Sequence, residues 1–188
     1  MTLFTDPAFV VAGRMLLALI FLSAAVGKMR HWSVLEGVIA NYRLLPRSWS
    51  AAIAYALPPA EALIGLCLLL GLVLPWAGLA AAGLLGAFAL AMAINLLRGR
   101  AHIDCGCFQG ALRQSLCWPL VARNALLLLL ALLTARSSAM AAQAWDMLNG
   151  IMASIALYLT LQTLNALWAV QPAWRKTLPT ATPAGAIG

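Results

Sequence analysis

The chain has 188 residues, of which 64% are hydrophobic and only 9% charged, with a mean hydropathy of +0.93. Those values exclude an ordinary soluble domain, in which about a quarter of the residues are charged. The net charge of +7 suggests at first a nucleic-acid or acidic partner, but the basic residues follow the ends of the apolar runs; membrane orientation explains them better, and no nucleic acid is expected.

A hydrocarbon core of about 30 Å needs roughly 20 apolar residues per helix. Five runs qualify. Asp6-Pro7 opens the first, Phe9 to Gly27, with an aspartate suited to cap and a proline suited to the first helical position. The start Met-Thr-Leu-Phe-Thr-Asp lacks the basic region of a signal peptide, so this span is expected to stay as an anchor. The connection Lys28 to Ser50 contains a short apolar-polar stretch compatible with an interfacial helix, followed by Tyr42-Arg43-Leu44-Leu45-Pro46. Ala51 to Leu74, Ala77 to Leu97, Leu116 to Leu133 and Met147 to Val170 are the remaining spans. None shows the period-two alternation of membrane strands, and helices satisfy every backbone amide within the segment. The expected fold is therefore all-α, a polytopic membrane helix bundle of about five transmembrane helices. It forms a single domain over residues 1–176. Residues 177–188, made of Ala, Thr, Pro and Gly with little to bury, read as a mobile tail.

Lys28, Arg30, Arg43, Arg47, Arg98, Arg100, Arg113, Arg175 and Lys176 all fall at one side of such a bundle, against Arg136 on the other. Cytoplasmic loops collect lysine and arginine, which places the amino terminus outside and the carboxyl terminus in the cytoplasm. Trp32, Trp49, Trp76, Trp118, Trp145 and Trp174 cluster at the inferred ends, where amphipathic rings prefer the interface; His31 beside Trp32 reads as an interface marker too.

Charged groups within spans are costly, about 2.5–3.5 kcal/mol at the bilayer centre on insertion scales, so they normally face the bundle interior. Glu61 follows Pro58-Pro59, which leave carbonyls one turn earlier without their helical donor. Arg14, Arg123, Asn124 and Asn95 are the available intramembrane partners. Structural glue between helices and a proton or quinone-headgroup site both remain open for this set.

The most chemically distinctive stretch is His102-Ile103-Asp104-Cys105-Gly106-Cys107-Phe108-Gln109-Gly110. Glycine lets the backbone between the two sulfurs close a tight ring. A strained or exposed disulfide has the more oxidising potential that suits exchange. A static brace between residues two apart would remove little unfolded-state entropy. A zinc site of His102, Asp104, Cys105 and Cys107 is disfavoured by the one-residue spacing, and no metal is assigned. Arg98, Arg100 and Arg113 favour thiolate, and Asp104 opposes it. Cys117, at the mouth of span four, is a candidate resolving cysteine or a small core residue. Cys67, deeper in span two, reads as packing. Phe108 either covers the pair or offers a docking surface.

Gly27-Lys28 closing span one, Tyr42-Arg43-Leu44-Leu45-Pro46, Glu61, Asp104-Cys105-Gly106-Cys107-Phe108 and Arg123-Asn124 together resemble the methylamine utilisation MauE family, with DoxX-like membrane proteins as the broader group. The likeness covers about residues 9–170. It implies an accessory protein of the cell inner membrane that helps process, transport or mature the disulfide-rich small (beta) subunit of methylamine dehydrogenase during methylamine degradation. The thioredoxin-like protein MauD is the implied partner. One departure is that the family pattern reads Cys-Gly-Cys-Phe-Gly, whereas Gln109 precedes Gly110 here.

The expectation is thus thiol-disulfide exchange at Cys105 and Cys107, in an accessory whose standing as an enzyme is open and which needs no cofactor. The alternatives are a non-redox membrane scaffold or transporter, in which Arg14, Glu61 and Arg123 form a polar pathway, and a DoxX-like quinone-linked redox subunit. The charge pattern sets the cysteine pair on the cytoplasmic side while the implied substrate matures outside. Either electrons cross the bilayer or the orientation is reversed.

Overall fold

The computed structural model describes residues 6–103, 115–136 and 143–177, with side chains of the last helix described through Leu167. The helices in chain order are α1 (Pro7–Arg30), α2 (Trp32–Tyr42), α3 (Arg47–Leu70), α4 (Leu74–Leu97), α5 (Trp118–Arg136) and α6 (Ala144–Thr177). Five of them, all but α2, are long and apolar enough to cross a membrane.

The capping chemistry anticipated at the start of α1 is present: Asp6 Oδ1 accepts from the Ala8 amide at 2.9 Å and Pro7 occupies the first turn. The stretch compatible with an interfacial helix forms α2, which ends on Arg43 in the left-handed region. The second span closes earlier than Leu74. Gly71 adopts φ 72°, and the Leu72 amide returns to the Cys67 carbonyl at 2.9 Å, a glycine-terminated helix end that the apolar composition of the run concealed. Leu74 instead opens α4, with Pro75 in its first turn. Leu116 and Cys117 precede α5 rather than belonging to it. Thr177, expected as the first tail residue, is the last residue of α6, and residues 178–188 lie outside the described residues.

Helices with so little polar surface associate through close backbone approach. α5 packs along α4 where a Cβ on Gly78 would stand 2.7 Å from Ala135 Cβ and 3.0 Å from the Ala131 carbonyl oxygen. α6 approaches α1 where a Cβ on Gly150 would stand 2.7 Å from Val11 Cγ1 and 3.1 Å from the Ala12 amide nitrogen. Between these seams lies the core, built from Leu17, Ala18 and Phe21 of α1, Leu68 of α3, Ala81 and Leu85 of α4, and Leu127 and Ala131 of α5. Large apolar side chains such as Leu63, Leu70, Leu126 and Leu167 point outward. In water this surface would be an aggregation hazard; in a bilayer it is the lipid-facing side.

Alternate crossings gather the end of α1, all of α2, the start of α3, the end of α4, the described residues 98–103 and 115–117, and the start of α5 at one end of the bundle. That end holds the features taken up below.

Candidate functional site

Proline at 58 removes the amide that would have bonded the Ala54 carbonyl, as the sequence implied for the Pro58-Pro59 pair. Trp32 fills the gap. Its indole Nε1 donates to the Ala54 carbonyl at 2.6 Å, and its ring lies 5.3 Å from that of Tyr55. Trp32 is therefore more than an interface marker: it fastens α2 across the proline-weakened part of α3, replacing a missing helical hydrogen bond with a side-chain one.

One level deeper, Glu61 and Lys28 form a buried ion pair between α3 and α1. Lys28 is 4% and Glu61 1% exposed, so both charges have left water and stabilise each other across the helix interface. The Lys28 ammonium also sits 4.9 Å from the centroid of the Phe88 ring of α4, a cation–π contact in a site sheltered from solvent. Three helices converge on one cation.

This arrangement corrects one expectation. Lys28 is not a loop charge at the membrane surface, because the α1 end is overlapped by the first turns of α3 and roofed by α2. The other intramembrane polar residues have contacts of their own. Arg14 reaches the opposite end of the bundle, where its Nη1 would lie 2.6 Å from a Cβ on Gly71. Arg123 donates from Nη1 to Asn165 Oδ1 at 2.9 Å, tying α5 to α6. Asn124 Nδ2 donates to the Leu120 carbonyl at 2.8 Å and Asn95 Nδ2 to the Ala91 carbonyl at 3.0 Å, each within its own helix.

Beside the ion pair is a cavity of about 390 Å³ between α2, α3 and α4, within the size range of small-molecule sites. Lys28 is the charged residue in a lining otherwise formed by apolar side chains and Tyr42. Phe88 and Met92 belong to its wall, and Met92 is also part of a buried cluster with Ile103, Leu116 and Leu120.

That cluster anchors the cysteine-bearing connection. The Leu116 amide donates to the Ile103 carbonyl at 3.0 Å, and both residues are buried. Cys105, Cys107 and Phe108 fall in residues 104–114, outside the described residues, but the two ends of that segment are held together against the wall of the cavity. Cys117 is half-buried against the same cluster, immediately beside the anchor. Cys67 packs instead against the main core with Leu17 and Leu68, remote in the fold from the anchored end. Arg100 folds back so that Nη1 donates to Asn95 Oδ1 at 3.4 Å, closing the end of α4.

Comparison with known proteins agrees with the sequence resemblance. The family model described as methylamine utilisation protein MauE matches residues 6–137. A methylamine utilization protein MauE from Paracoccus denitrificans is 41% identical over 173 residues, covering 89% of this chain and 93% of that protein. Its counterpart from Paracoccus versutus is 41% identical over 156 residues, covering 82% and 84%. The Methylorubrum extorquens protein of the same name is 38% identical over 125 residues, covering 66% and 67%. No solved structure matches the chain. The family match takes in α1 to α5, and with them the ion pair, the cavity and the anchored cysteine segment; this multi-pass membrane chain belongs to the MauE family of methylamine utilisation proteins.

Proposed function

We propose that the chain is an inner-membrane accessory protein that supports maturation of the beta subunit of methylamine dehydrogenase by thiol-disulfide exchange at Cys105 and Cys107. The observation that supports this most concerns the residues flanking the Cys-Gly-Cys segment: Ile103 and Leu116 are hydrogen-bonded to each other and buried at one end of the bundle. In the exchange, a partner thiolate attacks one sulfur of the Cys105–Cys107 disulfide, forming a mixed disulfide and releasing the other cysteine as a thiolate. A second partner thiolate then attacks the mixed disulfide. The partner leaves oxidised, and the electron pair remains with Cys105 and Cys107 as a dithiol. A thioredoxin-like disulfide protein such as MauD restores the pair by the reverse traffic.

The orientation that goes with this reading has the amino terminus in the periplasm and the carboxyl terminus in the cytoplasm. Removing Lys28 from the tally of loop charges leaves eight basic residues against Arg136, so the asymmetry persists. The test is a membrane-impermeant thiol reagent applied to a Cys67→Ala, Cys117→Ala variant. Without reductant, Cys105 and Cys107 should resist labelling in both intact cells and inverted vesicles. After reduction they should label in inverted vesicles and not in intact cells. Labelling of reduced intact cells would reverse the orientation and let the pair exchange directly with periplasmic partners. Full labelling without any reductant, under every growth condition, would contradict a cycling disulfide.

A further inference from the structure

The cavity beside Lys28 has features that specify what it can hold. Its volume of about 390 Å³ suits a small-molecule head with part of a tail, and its lining is apolar except for Lys28 and the Tyr42 phenol. It lies between α3 and α4, which pack less closely on each other than α4 does on α5, and α2 covers it with Leu35, Val38 and Ile39. An ammonium has three N–H donors. Glu61 accepts one, the Phe88 face attracts the charge, and Lys28 still forms part of the cavity wall.

Charge decides the class of ligand. The Lys28–Glu61 pair is already neutral, so an anionic head would enter an apolar space without a counter-ion, at the large cost of an uncompensated buried charge. An uncharged oxygen acceptor carries no such cost and gains a charge-assisted hydrogen bond. Two aromatic rings, Phe88 and Tyr42, favour a flat head group, and the apolar lining with its position between membrane helices favours a lipid-soluble molecule.

We infer that this cavity is a binding site for a membrane quinone, whose ring lies between the α2, α3 and α4 walls and whose carbonyl oxygen accepts a hydrogen bond from Lys28. The inference rests on α1 to α4 alone and is independent of the cysteine chemistry proposed above. Its loss and the loss of the exchange reading are separable by experiment.

Equilibrium dialysis of decylubiquinone against the purified full-length chain in detergent measures the binding. The unsubstituted protein should bind saturably, with one site per chain, and so should a Cys105→Ser, Cys107→Ser variant. Ala91→Phe, which places a ring within the cavity, should abolish saturable binding while leaving the melting temperature close to that of the parent. The double variant Lys28→Met, Glu61→Met keeps the site apolar and without net charge but removes the donor, and should raise Kd by about tenfold, the equivalent of one hydrogen bond. Palmitate should not compete. Absence of saturable binding by the parent, an unchanged Kd in the folded double variant, unchanged binding by Ala91→Phe, or displacement by palmitate as effective as by unlabelled quinone would each overturn the assignment.

Discussion

Glu61→Gln should destabilise the bundle by about 3–5 kcal/mol, because it leaves the Lys28 ammonium buried without its counter-charge. The carboxamide keeps the size and one acceptor oxygen of the carboxylate, so packing in α3 is conserved and the loss reports charge. Lys28→Met should cost a similar amount, for the reciprocal reason. The double variant Lys28→Met, Glu61→Met should be far less damaging than the sum, since replacing a buried pair with apolar groups of similar volume is often neutral or stabilising. Thermal unfolding in detergent and the amount of protein in membranes measure this series. Near-additive losses in the double variant would show that Lys28 and Glu61 act separately. Parental stability of Glu61→Gln would mean that the carboxylate charge does not hold α1 to α3.

The second large effect is functional. Cys105→Ser and Cys107→Ser, singly or together, should leave the chain in the membrane at its usual level but abolish accumulation of correctly bridged beta subunit. Serine is close in size to cysteine, and both substitutions lie beyond the buried anchor at Ile103 and Leu116. A defect in the subunit would therefore arise from missing sulfur chemistry and not from a collapsed bundle. Subunit abundance and its free-thiol content, measured in cells dependent on methylamine, distinguish the cases. Full abundance of bridged subunit with both cysteines replaced would remove the redox role and leave the scaffold reading. Cys117→Ala should have a smaller effect, consistent with a half-buried packing position beside the anchor.

The membrane architecture was legible because apolar run length reports directly on bilayer thickness, and the Asp6-Pro7 start of α1 followed from local capping chemistry. Helix register was not. Glu61 lies fourteen residues into α3, about 21 Å along the helix, whereas Lys28 lies two residues from the end of α1. Counted from the ends of their spans they stand at different depths, so the sequence points to Arg14, Arg123, Asn124 and Asn95 as partners for Glu61 and not to Lys28. The first turns of α3 in fact run past the end of α1 and pack on α2, which brings the two charges level. The same overlap allows Trp32 to reach the Ala54 carbonyl. A useful signal was present in the sequence, since the resemblance included Gly27-Lys28 and Glu61 together, but proximity in three dimensions depends on this long-range overlap. The left-handed end at Gly71 was likewise hidden inside a continuous apolar run, where hydropathy carries no boundary. The cysteine motif was legible as chemistry from its residues alone; what the fold adds is the paired, buried base on which its segment stands.

Central to this account is that Cys105 and Cys107 exchange disulfides with a partner, and trapping the covalent intermediate tests it most directly. A Cys107→Ser or Cys105→Ser variant, in a background with Cys67→Ala and Cys117→Ala, retains one thiolate that can attack a partner's disulfide, as in re-oxidation of the pair, and lacks the second cysteine that would resolve the adduct. Cells making the beta subunit and MauD would be quenched with acid, alkylated, and resolved without reductant. At least one of the two single-cysteine variants should carry a mixed disulfide to MauD, or to a beta subunit that already holds a disulfide, that disappears on reduction and is absent when both cysteines are replaced. If neither variant forms such an adduct while the parent pair remains in one oxidation state with and without the subunit, thiol-disulfide exchange is contradicted.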